Sequence, residues 1–257
     1  MIKAVFFDVD GTLVSHKSKS VPESARKAIY ELKEKGIKVF LSTGRHIREI
    51  LDLPTNDIEF DGYVLLNGQL GLDKNKNLVF SHPFSQSDAK GLVEIFQGKE
   101  YPFVLVNDKG HYMNFVDDIT RMALASVSTA IPPIMEYKGE ALYQATVFIA
   151  AEKDEEFAKV LPKGCKLARW GSHGADIIAA DGGKAVGMQF FGQWLGITPE
   201  EMMAFGDAQN DMDMMEYAGI GIAMGNAEEC LKKIADDVTT DVDDDGIWNA
   251  LKKYDVL

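Results

Sequence analysis

Cysteine is scarce. Two residues in 257, Cys165 and Cys230, stand far apart and form neither a Cys-x-x-Cys pair nor a zinc-ligand spacing. That excludes a disulfide framework and a structural zinc site, and both read as small buried hydrophobes. Long apolar runs are missing too: none approaches the roughly 20 residues that span a bilayer, so no membrane partner is expected. Basic residues are in deficit, 27 Lys and Arg against 40 Asp and Glu, for a formal net charge of −13. Proteins that bind nucleic acid present a basic face, and the deficit argues against that partner. Any anionic ligand must then be met by local cations or by a bound metal. The first residues, MIKAVFFDVDGT, lack the basic, apolar and small-residue sequence of a secretion signal, so a cytoplasmic location is expected. No repeat, low-complexity tract or long linker appears, and no obligate protein partner is evident.

What is present is ordinary for a folded chain, with 46% hydrophobic and 26% charged residues. Residues 4–9 form a short apolar run closed by Asp-Gly, the pattern of a buried strand feeding a loop. An amphipathic helix over 24–35 follows, then buried strands at 37–41 and 63–66. Strand, helix and strand with short connections indicate a parallel sheet covered by helices. After about Pro83 the rhythm changes. A helix at 87–96, a hairpin around Asn107-Asp108-Lys109-Gly110, helices at 118–129 and 155–161, and strands at 146–150, 166–170 and 176–179 make an α+β segment. From Lys184 the first rhythm returns, with helices at 185–195, 211–217, 227–235 and 246–253 and strands at 202–205, 220–224 and 238–240. The chain therefore divides into a core, 1–82 and 184–257, and an inserted α+β domain, 83–183.

Asp8 and Asp10 close the first strand, and Gly206-Asp207-Ala208-Gln209-Asn210-Asp211 follows another. Ligands of open α/β sheets bind at the carboxyl ends of strands. If these two strands are neighbours, three or four carboxylates converge there, which is costly without a cation. Oxygen-only ligands suit Mg2+. Each piece also has a plainer reading: Asp-Gly as a turn, Asn210-Asp211 as a helix cap, Thr43-Gly44-Arg45 as a loop, Lys184 as a surface charge.

Taken in order, Asp8-Val9-Asp10-Gly11-Thr12, Ser42-Thr43-Gly44-Arg45, Lys184 and Gly206-Asp207-Ala208-Gln209-Asn210-Asp211 resemble the four motifs of the haloacid dehalogenase superfamily. An α+β insert between the second and third resembles its Cof-type sugar-phosphatase branch, as do Asn67-Gly68 and Asp245-Gly246. The resemblance implies a Rossmann-like parallel-sheet core with an inserted α+β cap domain, and Mg2+-dependent hydrolysis of small phosphorylated metabolites, sugar phosphates foremost. On that pattern Asp8 is the nucleophile that becomes an aspartyl phosphate, and Asp10 is the general acid and base. Thr43 and Lys184 would stabilise the phosphoryl oxygens. Mg2+ would be held by Asp8, the Asp10 carbonyl and Asp207, with Asn210 and Asp211 behind them orienting Lys184 and metal-bound water. Arg45, Asn67 and Gly68 fall where substrate contacts are expected. The dehalogenases lack the Asp10 equivalent, which favours phosphate chemistry here; Ala185 stands where the family usually has Gly. Two alternatives stay open, a phosphomutase and a non-catalytic metal-dependent ligand-binding protein.

Asp241-Val242-Asp243-Asp244-Asp245-Gly246 imitates half of a calcium loop, but Lys252 occupies the position that needs a bidentate Glu, so calcium is rejected. In the insert, Arg169, His173 and Asp176 are polar but read first as structural or surface residues.

Overall fold

Alternating blocks of apolar and helix-forming sequence lay down an eight-stranded sheet, seen in a computed structural model that describes residues 1–127 and 129–257. Its strand order is Asp237–Val238, Ile220–Ala223, Met202–Gly206, Ala4–Phe7, Lys38–Ser42, Gly62–Leu65, Leu70–Asp73 and Leu78–Ser81. All run parallel up to Gly62–Leu65, and the last two are antiparallel. Strands buried on both faces need apolar side chains throughout, and Ala-Val-Phe-Phe at Ala4–Phe7 supplies four. The chain adds strands on one side of Ala4–Phe7 and later returns to its other side, pairing Phe7 with Phe205. That reversal is the switch point of an open α/β sheet, and it sets the residues after Phe7 beside those after Gly206. Phe6 stacks on Phe40 at 4.5 Å between centroids, and Phe40 meets Phe191 of the Lys184–Leu195 helix at 4.8 Å. The helix Glu23–Glu34 buries Ala25, Ala28, Ile29 and Leu32 in the spacing that its sequence predicts.

These strands and helices belong to one unit, Met1–Ser81 with Gly183–Leu257, and His82–Gly182 forms a second. The divisions fall one residue earlier than the sequence places them. In the second unit a five-stranded antiparallel sheet runs His111–Met113, Phe103–Val106, Gln144–Val147, Gly174–Ala179, Cys165–Gly171. Leu92 and Phe96 of the helix Gln86–Gly98 pack with Phe103, Leu105, Val147, Phe157 and Ile177 as its core. The fold is thus α/β, a parallel-sheet core interrupted by an α+β insertion. Among the described residues no helix is long and apolar enough to cross a membrane.

Several local expectations are corrected. The hairpin Leu70–Asp73/Leu78–Ser81 is not expected from the sequence: Gly71 interrupts the first strand, and the apolar Leu78-Val79-Phe80 of the second is short and lies at a half-exposed edge. The expected helix 155–161 is only Asp154–Phe157, Pro162 disfavouring helix just before it. The helix expected over 118–129 ends at Ser126, and Ser128 in that stretch lies outside the described residues. The helix expected over 227–235 contracts to Glu229–Lys232. Cys230 is exposed rather than buried, and Cys165 is half-buried.

Candidate active site

The Asp8 backbone N–H extends the parallel ladder, donating to the Phe205 carbonyl at 3.0 Å, and the chain then turns sharply. Gly11 has φ +85°, a conformation that costs glycine nothing. A Cβ there would stand 2.2 Å from Asp207 Oδ2, so a larger residue could not let the two loops approach this closely. Thr12 Oγ1 donates to Asp207 Oδ1 at 3.4 Å. Behind the turn, Asn226 Nδ2 donates to the Gly11 carbonyl at 2.8 Å while its own side-chain carbonyl accepts the Val242 N–H at 3.0 Å.

Lys184, the plainer reading of which was a surface charge, is 0% exposed. Its ammonium donates to Asp8 Oδ1 at 2.6 Å and Asp211 Oδ1 at 2.5 Å. The other Asp211 oxygen accepts the N–H groups of Asp207 and Ala208 at 2.9 and 3.0 Å, so one carboxylate fixes both the lysine and the acidic loop. Burial by itself would lower the Lys184 pKa, but the charges of Asp211 and Asp8 outweigh it and hold it above the ordinary value. Burial raises Asp8 to about 7, Lys184 pulling it down while Asp211 and Asp10 push it up. Asp207 is likewise raised well above its usual value, by burial first and then by the charges of Asp8 and Asp211.

Thr43 is buried, and its hydroxyl accepts the Arg45 N–H at 3.1 Å, which leaves the hydroxyl hydrogen to be donated. The Arg45 guanidinium lies on Asp10: Nε donates to Oδ2 at 2.6 Å and Nη2 to Oδ1 at 2.8 Å. Asn67 is buried and accepts from Asn210 Nδ2 at 3.1 Å; Asn210 thus reaches Asn67, where the resemblance had it orienting Lys184. Gly68, with φ +86°, packs so tightly that a Cβ would lie 1.8 Å from the Gly183 carbonyl. Its backbone therefore abuts the start of the Lys184 helix. In the second unit Arg169 pairs with Asp154, and Asp176 accepts from Thr146 and Trp170 at 2.9 and 3.2 Å.

Four carboxylates, Asp8, Asp10, Asp207 and Asp211, face two cations, Lys184 and Arg45, a formal excess of two negative charges that, on top of burial, shows in the raised pKa values of Asp8 and Asp207. One oxygen from each of Asp8, Asp207 and Asp211 lies within 4.8 Å of the others. Asp211 is already committed to Lys184 and two N–H groups, whereas the Asp207 carboxylate accepts only at a long 3.4 Å, from Thr12, among the described residues. Charge, hard oxygen donors and the poorly compensated Asp207 all fit a divalent cation.

Sequence reasoning gave no role to three contributors, Thr12 of the first motif among them. Thr12 and Asn226 hold the loops around Asp207 and Gly11, and Asp213 accepts the Ala185 N–H at 3.0 Å. Gly183 precedes that helix and brings no side-chain acceptor, so Asp213 serves its first turn from elsewhere in the chain. The run Asn210-Asp211-Met212-Asp213 is the one signal that pointed there.

A family model for haloacid dehalogenase-like hydrolases matches residues 5–251. YkrA of Bacillus subtilis (strain 168), whose own phosphatase assignment is provisional, is 31% identical over 261 residues, covering 99% of this chain and 98% of that protein. The 5-amino-6-(5-phospho-D-ribitylamino)uracil phosphatase YitU of the same organism is 28% identical over 282 residues, covering 97% and 96%. Among solved structures, the subclass IIB sugar phosphatase BT4131 superposes with a TM-score of 0.89 at 30% identity, covering 99% of this chain and 100% of that one. With the acidic loops, the buried lysine and the insert all on one chain, the protein belongs to the haloacid dehalogenase-like hydrolases and is an enzyme of their phosphatase type.

Proposed function

We propose that the protein is a Mg2+-dependent phosphatase of small polyhydroxylated phosphate esters, sugar phosphates foremost, acting through an aspartyl phosphate on Asp8. The observation that carries this is the buried Asp8–Lys184–Asp211 cluster, with Asp10 two residues beyond Asp8 at the same sheet edge. An Asp8 carboxylate oxygen attacks phosphorus as the bond to the leaving alkoxide breaks. Asp10 gives that alkoxide its proton, then takes one from the water that cleaves the aspartyl phosphate. Lys184 has three N–H donors and uses two on Asp8 and Asp211; the third, with the Thr43 hydroxyl, serves the phosphoryl oxygens. Asp8, the Asp10 carbonyl and Asp207 would hold Mg2+, which supplies charge neutralisation when bound. Asn210 stiffens the adjoining loop through Asn67, and Asp211 fixes Lys184 and the Asp207 backbone.

The substrate class rests on the relatives. YitU is named for a phosphoribityl compound and BT4131 for sugar phosphates, and the chemistry they share is a phosphate on a polyhydroxylated carbon chain. The test is phosphate release from a panel of sugar and polyol phosphates, with p-nitrophenyl phosphate as the generic ester, with Mg2+ and with excess chelator. Turnover that needs the metal and is lost in Asp8→Asn is expected. No release from any monoester between pH 5 and 9 would sink the proposal, and isomerised sugar phosphate with little free phosphate would make the protein a mutase.

A further inference from the structure

We infer that Arg45 is a positioning residue that acts through Asp10 rather than a contact to substrate; the inference rests on the phosphatase reading above. The guanidinium engages Asp10 side-on, Nε to Oδ2 at 2.6 Å and Nη2 to Oδ1 at 2.8 Å. Two parallel bonds fix the plane and rotamer of a carboxylate, which one point charge cannot do. The arginine and aspartate side chains are only 12% and 30% exposed, so this is not a loose surface pair.

Arg45 is itself anchored on both sides. Its N–H donates to Thr43 Oγ1 at 3.1 Å, and its carbonyl accepts the Leu66 N–H at 3.3 Å. The next residue, His46, caps the Ile47–Ile50 turn: its Nδ1 accepts the Arg48 N–H at 3.2 Å, and its own N–H donates to Glu49 at 2.8 Å. Asp10 lies past the end of its strand, bridged to Val14 in a turn that the Gly11 N–H closes on the Val14 carbonyl at 2.9 Å, so its backbone is held and the freedom left is that of its side-chain torsions. With both backbones held, the two-point guanidinium contact removes the remaining freedom, the rotation of the Asp10 carboxylate. A group that must meet first the leaving alkoxide and then the attacking water loses rate steeply when misplaced.

A double-mutant cycle reads this directly. Wild-type turnover of a sugar phosphate and of p-nitrophenyl phosphate with Mg2+ comes first; its absence defeats the phosphatase reading and not the Arg45 assignment. Given turnover, Arg45→Ala should lower kcat for the sugar phosphate by about 10²-fold, within the range of a lost general acid, and leave KM within about threefold. In an Asp10→Asn background, followed by single-turnover kinetics, the same substitution should cost less than about threefold, because residues acting as one unit are not additive. Arg45→Lys keeps the charge but cannot make the two-point contact, so it should not restore kcat; it also stands in should Arg45→Ala not fold. A tenfold rise in KM with kcat preserved, or an undiminished loss in the Asp10→Asn background, would overturn the inference and return Arg45 to the substrate.

Discussion

Replacing Lys184 with Met keeps most of the side-chain stem and deletes the ammonium, which isolates what the buried charge contributes. Lys184 and Asp211 are wholly buried, and the Asp8 side chain is 8% exposed. The substitution takes the cation from two carboxylates that are almost wholly withdrawn from water, leaving Asp211 with its two N–H donors. Removing one partner of a buried ion pair costs about 3–5 kcal/mol. At roughly 2–4 °C per kcal/mol for a chain of this size, Tm should fall by about 6–20 °C. The penalty should depend on pH with a definite sign. Asp8 already stands at about 7 with the lysine pulling it down, so without that pull it rises further. The folded variant then holds protons that its unfolded chain releases, and its stability declines as pH increases. The wild-type lysine contribution, from a pKa held above the ordinary value, is fully present below about 10. The assay is urea unfolding of both proteins in chelator at pH 5 and pH 8, with the larger loss expected at pH 8. A loss below about 1 kcal/mol, or one equal at both pH values, would refute the buried-triad account.

Asp8→Asn should flatten the fall in metal-free stability between about pH 4 and pH 7, where the raised Asp8 pKa makes folding take up a proton; the effect is at most about 4 kcal/mol, read from unfolding curves against pH. Mg2+ at a hundred times its dissociation constant should stabilise the wild type by about 2.7 kcal/mol, and Asp207→Asn should remove most of that shift in a thermal melt. Gly68→Ala should cost at least about 2 kcal/mol and lower kcat, since the new Cβ meets the Gly183 carbonyl at 1.8 Å in a left-handed backbone; unchanged melting would contradict the close approach.

The sequence by itself determined the local and periodic features: apolar runs that become buried strands, the amphipathic face of Glu23–Glu34, the Asp8/Asp10 spacing, and the order of the motifs around an α+β insert. Such features depend on neighbours a few residues away, so they can be read along the chain. Short edge strands escape this reading, as Leu78–Ser81 shows: its three apolar residues are too few to display a period, and their half-exposed place at the edge is set by the sheet and not by the segment. Only the tertiary structure decided which side chains share the sheet edge. Lys184 lies 176 positions from Asp8, and no propensity distinguishes it from a solvated surface lysine until parallel pairing of Ala4–Phe7 with Met202–Gly206 encloses it. Arg45 and Asp10, 35 positions apart, read separately in the sequence, one as a substrate contact and the other as the general acid and base, and only the fold shows the two-point bond between them. The same holds for Asn210 on Asn67 and for Asp213 at the Lys184 helix. The physical reason is that electrostatic and packing energies depend on distance in space and on burial, and both are properties of the assembled sheet rather than of any segment of the chain.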